Sequence, residues 1–148
     1  MSAPGLDGDD ALARAALEAL ESSDAAALAR ALDAGWSPGA ELAPQEPALG
    51  LASGKPECVE LLLGAGADPD ARCGRLRQTP LMRAAAAGCS RSVNLLLAAG
   101  ARPELDDLFG RDAAWSARKA NRHQLARALD EIAEAAREAR SAVSLGEP

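Results

Sequence analysis

The side chains of this 148-residue sequence that could do chemistry are few and poorly matched to one another. His123 is the single histidine, and "NRHQL" sets it at the start of a helical run, where capping or solvation is the simpler role than general-base work. Cys58, Cys73 and Cys89 are odd in number and spaced by 15 and 16 residues, so they read as buried or idle thiols rather than as a metal or redox set. No Ser or Cys has a base close by in sequence to activate it. "ASGK" at 52–55 runs into Pro56 and lacks the remainder of a phosphate-cradling loop, while Asp106 and Asp107 read as turn residues rather than as an acid and base pair. The expectation is a non-enzyme with no cofactor and no metal.

What remains chemically distinctive is the placement of charge. Residues 1–70 hold 13 acids and three bases, 71–103 hold six arginines and no acid, and 104–148 hold nine acids against seven bases. A chain of net charge −6 is a poor non-specific ligand for nucleic acid, yet it carries a concentrated basic block at its middle. No apolar run reaches the ~20 residues of a membrane span, and the opening "MSAPGLDGDD" is acidic where a secretory signal would be basic and then apolar. The expected setting is intracellular, cytoplasmic or nuclear, with no membrane and no nucleic acid as partner. Trp36, Phe109 and Trp115 are all the aromatics there are, so the core has to be built from Leu, Ala and Val.

The elements that must position these residues recur. "CVELLLGAGADPDA" at 58–71 returns as "SVNLLLAAGARPEL" from Ser92, and a weaker copy, "AALARALDAGWSP", ends at Pro38. In "TPLMRAAAAGCSRSVNLLLAAGA" the Ala-rich stretch from Pro80 to Ala87 reads as a helix, with Thr79 as N-cap and proline at the first helical position. Gly88 ends it. A second helix, about Ser90 to Ala99, places Val93, Leu96 and Leu97 on one face with Leu95 widening it, and Gly100 closes it. Such helices are shorter than the ~12–15 residues at which isolated helices become marginal, so each pair must use its neighbour as core.

On these residues the chain resembles the ankyrin repeat, whose pattern runs Thr-Pro-Leu-His-x-Ala-Ala, Gly, an apolar helix ending in leucines, then Gly-Ala-Asp. The resemblance is strongest over 79–103, good over 54–71, and in register over 107–129, where "DLFGRDAAWSARKANRHQLARAL" puts Asp112 for Thr and Asn121 for the interhelical Gly. It implies an all-α solenoid of about four helix-turn-helix units with β-turn fingers. The expected units are about 10–40, an N-terminal cap with a diluted pattern, 41–73, 74–106 and 107–140, with 1–9 a disordered N-terminus and 141–148 a frayed tail. Leu125, Leu129, Ile132 and Ala136 line one face of a last helix that overruns the repeat as a polar cap.

Two departures carry expectations of their own. The loop "ARCGRLRQ" lacks the Asp-x-x-Gly turn and is one residue longer than the consensus finger, so its tip is expected to be irregular. Pro44 and Pro47 in "APQEPALGLASG" shorten the first helix of the second unit to about a turn. That shortening within four units also resembles the layout of the small ankyrin-type inhibitors of cyclin-dependent kinases. Where they present an acid in His-Asp-Ala-Ala, however, Arg83 stands here.

The repeat geometry implied by the resemblance gives a concave face of finger tips and first helices. On this sequence it comprises Arg75, Leu76, Arg77 and Gln78, then Arg83, then Leu108, Phe109 and Arg111 with Lys119 behind. The expected function is a protein-protein interaction module, an adaptor or regulator that takes another protein, with an acidic segment, on that face as a monomer. The alternatives are inhibition of a cyclin-dependent kinase and a structural stack that binds elsewhere. Trp115 replaces the histidine of the pattern and is expected to pack on the preceding unit; Trp36 is open between capping the first leucine layer and partial exposure.

Overall fold

Among the described residues three helices begin at a side chain that receives a free N–H of the first turn: Asp24, Thr79 and Asp112. The computed structural model describes residues 6–39, 41–43 and 45–145. The first pair is α1 (Leu6–Glu21) and α2 (Ala25–Asp33), the latter capped by Asp24, whose Oδ1 accepts the Ala27 N–H at 3.0 Å. A short antiparallel hairpin follows, β1 (Glu41–Ala43) with β2 (Glu46–Pro47), and leads into α3 (Ala48–Ala52) and α4 (Pro56–Gly64). α3 is five residues long, the single turn expected after Pro47. The third pair is α5 (Pro80–Ala87) and α6 (Ser90–Ala98), and the fourth is α7 (Ala113–Lys119) and α8 (His123–Leu145).

Thr79 caps α5 by accepting the Met82 N–H at 3.2 Å, and Asp112 does the same for α7 with the Trp115 N–H at 2.9 Å. The carboxylate thus stands in for the missing threonine. At the turns inside these pairs Gly88 takes φ 70° and Asn121 φ 62°, so the asparagine supplies the left-handed conformation that glycine supplies one unit earlier.

Packing runs from pair to pair. α5 lies on α6 and α7, and α4 on α2, α3 and α6. Ala84 and Ala85 on α5 and Ala113, Ala114 and Ala117 on α7 are at most 1% exposed, which lets these two first helices approach closely. Leu62 and Leu96, the centres of the two leucine triplets, are fully buried, each worth about 1.5–3 kcal/mol against exposure, with their neighbours packed around them. Trp36 is buried with the first layer. Lys55 reaches back so that its ammonium donates to the Leu20 carbonyl, a cation on the carboxyl end of α1.

Three expectations about extent and surface are corrected. α1 begins at Leu6, so 6–9 are helical where a disordered N-terminus was expected; 1–5 lie outside the described residues. α8 runs to Leu145, past the expected boundary at 140, and just before that boundary Arg137 pairs with Asp112 at 3.6 Å and Arg140 with Glu104, tying the helix to the body; 146–148 lie outside the described residues. The buried face of α8 is Ala126, Leu129 and Ala133, and Ile132 stands outward, 42% exposed.

Candidate protein-binding site

The basic block is mostly spent on inter-unit contacts. On α5, Arg83 makes a two-pronged pair with Glu46 of β2, Nη1 to Oε2 at 2.7 Å and Nη2 to Oε1 at 2.9 Å, with about a quarter of each side chain exposed. That bond holds the guanidinium's pKa above its ordinary value against the opposing effect of burial. Around it the space is full. A Cβ on Gly50 of α3 would lie 2.5 Å from Cys73 Sγ and 3.3 Å from Arg83 Nη1, which is why that turn carries glycine. Burial pushes the Cys73 thiol up to about 11, Arg83 working against the rise and Glu46 with it, so it is not a ready nucleophile. On α6, Arg91 pairs with Glu57 and Glu60 of α4 at 3.0 and 3.6 Å; Arg102 pairs with Glu104 at 3.1 Å, and its N–H donates to Asp70 at 2.9 Å. Arg72 donates to the carbonyls of Asp106 and Arg77 at 2.7 and 3.0 Å. Arg75 and Arg77 are exposed, and among the described residues neither side chain ion-pairs.

These two arginines sit on a finger that is not irregular, and the expectation for its tip is corrected. Cys73 and Gln78 exchange both backbone hydrogen bonds, at 2.7 and 3.0 Å, and close a four-residue loop with Gly74 at φ 71° and Arg77 at φ 55°. The left-handed residues at both ends of the loop do what the Asp-x-x-Gly turn does elsewhere. The fingers are also joined: the Gly74 N–H donates to the Gln45 carbonyl at 2.7 Å, and the Leu108 N–H to the Leu76 carbonyl at 3.0 Å.

The last finger is organised from within. Asp107 Oδ1 accepts the N–H groups of Phe109 and Arg111 at 2.8 and 3.1 Å, and Oδ2 accepts Arg111 Nε at 2.9 Å. Burial acts to raise this carboxyl's pKa, but the Arg111 side chain and the two backbone donors outweigh it and hold it below the usual range. Arg111 in turn stacks between two rings, 4.9 Å from the Phe109 centroid and 4.4 Å from that of Trp115. With the backbone fixed in this way, Leu108 and Phe109 project 62% and 68% exposed, beside Leu76 at 37%.

Of the residues picked from sequence, Arg75, Leu76, Arg77, Leu108 and Phe109 therefore form one exposed group across two joined finger tips, with Gln78 half-buried at its base. Arg83 and Arg111, picked with them, have their charges taken up by Glu46 and Asp107. Lys119 is exposed at the far end of α7, about 9 Å of helix from Ala113, and is not part of the group. Asp107 was legible only as a turn residue through Asp107-x-x-Gly110, and Glu46 gave no local sign of a partner 37 residues away.

Among the described residues no helix is long and apolar enough to cross a membrane, and no group of three or more His, Cys, Asp or Glu is placed to hold a metal ion. The glycerophosphocholine phosphodiesterase gde1 of Schizosaccharomyces pombe (strain 972 / ATCC 24843) is 44% identical to this chain over 63 residues, 43% of this chain and 5% of that protein. A family model described as ankyrin repeats (3 copies) matches residues 16–107 and again 48–137. With the leucine layers, the capped first helices and the joined fingers all falling inside that span, the chain belongs to the ankyrin-repeat family.

Proposed function

We propose that the chain is a non-catalytic adaptor or regulator that binds another protein through its finger tips, Leu108, Phe109 and Leu76 taking an apolar group and Arg75 and Arg77 an acidic segment. The observation that carries this reading is the pair Leu108 and Phe109, more than half exposed on a finger whose backbone is held by Asp107. Large apolar side chains carried on a backbone fixed in advance lose less entropy on binding than those on a loose loop and make good anchors when a partner covers them. The monomer acts in the cytoplasm or nucleus. The activity in the yeast protein's name is not carried over, since the match spans so little of it. Inhibition of a cyclin-dependent kinase gains nothing from Arg83, whose charge is engaged by Glu46.

Affinity purification from the native cell tests this with three forms: wild type, Leu108→Ala with Phe109→Ala, and Glu134→Lys on the exposed side of α8. Partners retained by wild type and Glu134→Lys but lost from the finger variant are the expected result. Retention by the finger variant would place binding elsewhere on the stack, and a cyclin-dependent kinase among the lost partners would identify the regulated protein.

A further inference from the structure

The docking surface has two unlike halves. Its free positive charge lies on one finger, at Arg75 and Arg77, because Arg111 on the next finger is neutralised by Asp107 and covered by Phe109 and Trp115. Its large apolar area lies on the other finger, at Leu108 and Phe109. The Leu108 N–H to Leu76 carbonyl bond fixes the two halves beside one another. From these facts, and resting on the finger-tip reading above, we infer that the ligand is a short extended peptide segment carrying one large apolar residue and an acidic pair two or three residues away from it.

The separation follows from backbone geometry. Backbones joined by an N–H···O bond lie about 5 Å apart, and consecutive Cα atoms are about 3.8 Å apart whatever the turn. Phe109 is one residue beyond the bonded Leu108, and Arg75 and Arg77 flank the bonded Leu76, all of them in turns, so anchor and charges attach to backbone roughly 5–10 Å apart. An extended peptide covers that distance in two to three residues. A segment with acids adjacent to the anchor would leave its carboxylates short of the arginines and on the side of the finger that carries the exposed Asp106, whose like charge opposes binding. A segment with acids six residues away would overshoot the second finger. The acid-poor composition of 71–103 means that no carboxylate of that stretch competes for the peptide's place.

An array of ten-residue peptides tests the inference on the full chain. Each peptide carries one leucine or phenylalanine in an otherwise Ser/Gly sequence, with a Glu-Glu pair at separations from zero to seven residues in both chain directions. Wild type is expected to bind peptides with a separation of two or three at least tenfold more tightly than those at zero or at six and seven. Arg75→Gln with Arg77→Gln should erase that preference while leaving the weak anchor-dependent binding, and Phe109→Ala should weaken every peptide; thermal melts of both variants check that the stack is folded. Binding that depends on Phe109 but is equal at all separations overturns the two-halved ligand and leaves the finger-tip reading standing. Binding to none of the peptides, or binding indifferent to both Phe109 and the arginines, overturns both.

Discussion

The fingers at 73–78 and 105–111 have the same position in successive units and are held in different ways. The later one contains its own support, a buried aspartate that accepts two backbone N–H groups and an arginine within five residues. The earlier one has no such aspartate. It is closed by the Cys73 and Gln78 pair, and its setting comes from other units: the Gln45 carbonyl on one side, Leu108 on the other, and the Arg83–Glu46 pair packed against Gly74. A missing local motif has been replaced by contacts from neighbours, and Arg83, expected from sequence to meet a partner, supplies part of that replacement. Similar basic residues of successive units thus do three jobs: Arg83 joins units, Arg111 braces a loop, and Arg75 and Arg77 pair with no acid among the described residues.

The largest effect should come from the layer beneath both fingers. Leu96 is fully buried in the last turn of α6, so Leu96→Ala should cost about 2–5 kcal/mol by loss of burial and by the cavity left behind. Thermal or urea unfolding measures it. An unchanged melting temperature would contradict the assignment of that face to the core.

Next comes the contact that serves the earlier finger. Arg83→Met should destabilise by about 1–3 kcal/mol, the range for hydrogen bonds to charged groups, tempered by partial exposure of the pair. Glu46→Gln should cost less, since the amide still accepts one bond. A double-mutant cycle then separates the coupling from each residue's own packing, and strict additivity of the two changes would show that the units do not communicate through this pair.

The later finger should respond to acid where the earlier one has no carboxylate of its own to titrate. Asp107 has its pKa lowered, so it binds a proton more readily in the unfolded chain than in the folded one. Its stabilisation is complete above the unfolded carboxylate value, about 4, and is lost as pH falls through the lower folded value. Glu104, also lowered, with burial opposed by a backbone bond and by Arg102 and Arg140, acts in the same direction. Asp107→Asn should remove part of this acid sensitivity at a cost of about 1–2 kcal/mol at neutral pH. Unfolding followed from pH 7 to pH 2.5 reads it out, and identical acid profiles for wild type and Asp107→Asn would show that the finger's brace is not ionic.

How much of this was legible in the sequence follows from the range over which each interaction acts. The helix pairs, the Thr79 cap, the single turn of α3 and the leucine faces depend on residues a few positions apart, and their spacing carried them correctly. The use of the arginines did not follow, because Glu46 meets Arg83 across 37 residues and nothing local at either position marks the other. The closed finger at 73–78 was missed for a related reason: Arg77 adopts a left-handed conformation that its residue type does not announce, imposed by the Cys73 and Gln78 pairing. On α8, a shift of the buried face to Ala126, Leu129 and Ala133 exposes Ile132, since helical spacing defines stripes but does not say which of two adjacent stripes meets the stack.

The smallest effect on the fold belongs to the free arginines, and it should be accompanied by the clearest effect on binding. Arg75 and Arg77 lie outside the leucine layers and pair with no acid among the described residues, so Arg75→Glu with Arg77→Glu should change stability by no more than about 0.5 kcal/mol. Exposed charge mainly speeds encounter and is screened by salt, whereas a covered aromatic anchor mainly slows release. The charge reversal should therefore lower the association rate for an acidic partner and flatten its salt dependence, leaving dissociation nearly as it was. Phe109→Ala should do the opposite, raising the dissociation rate by an amount worth about 1–3 kcal/mol with little change in association. Surface plasmon resonance with the captured partner at two salt concentrations measures both rates. Wild-type rates in the charge-reversed form at both salt concentrations, the lower one included, would mean that Arg75 and Arg77 are solvated surface and that the two fingers do not share one ligand.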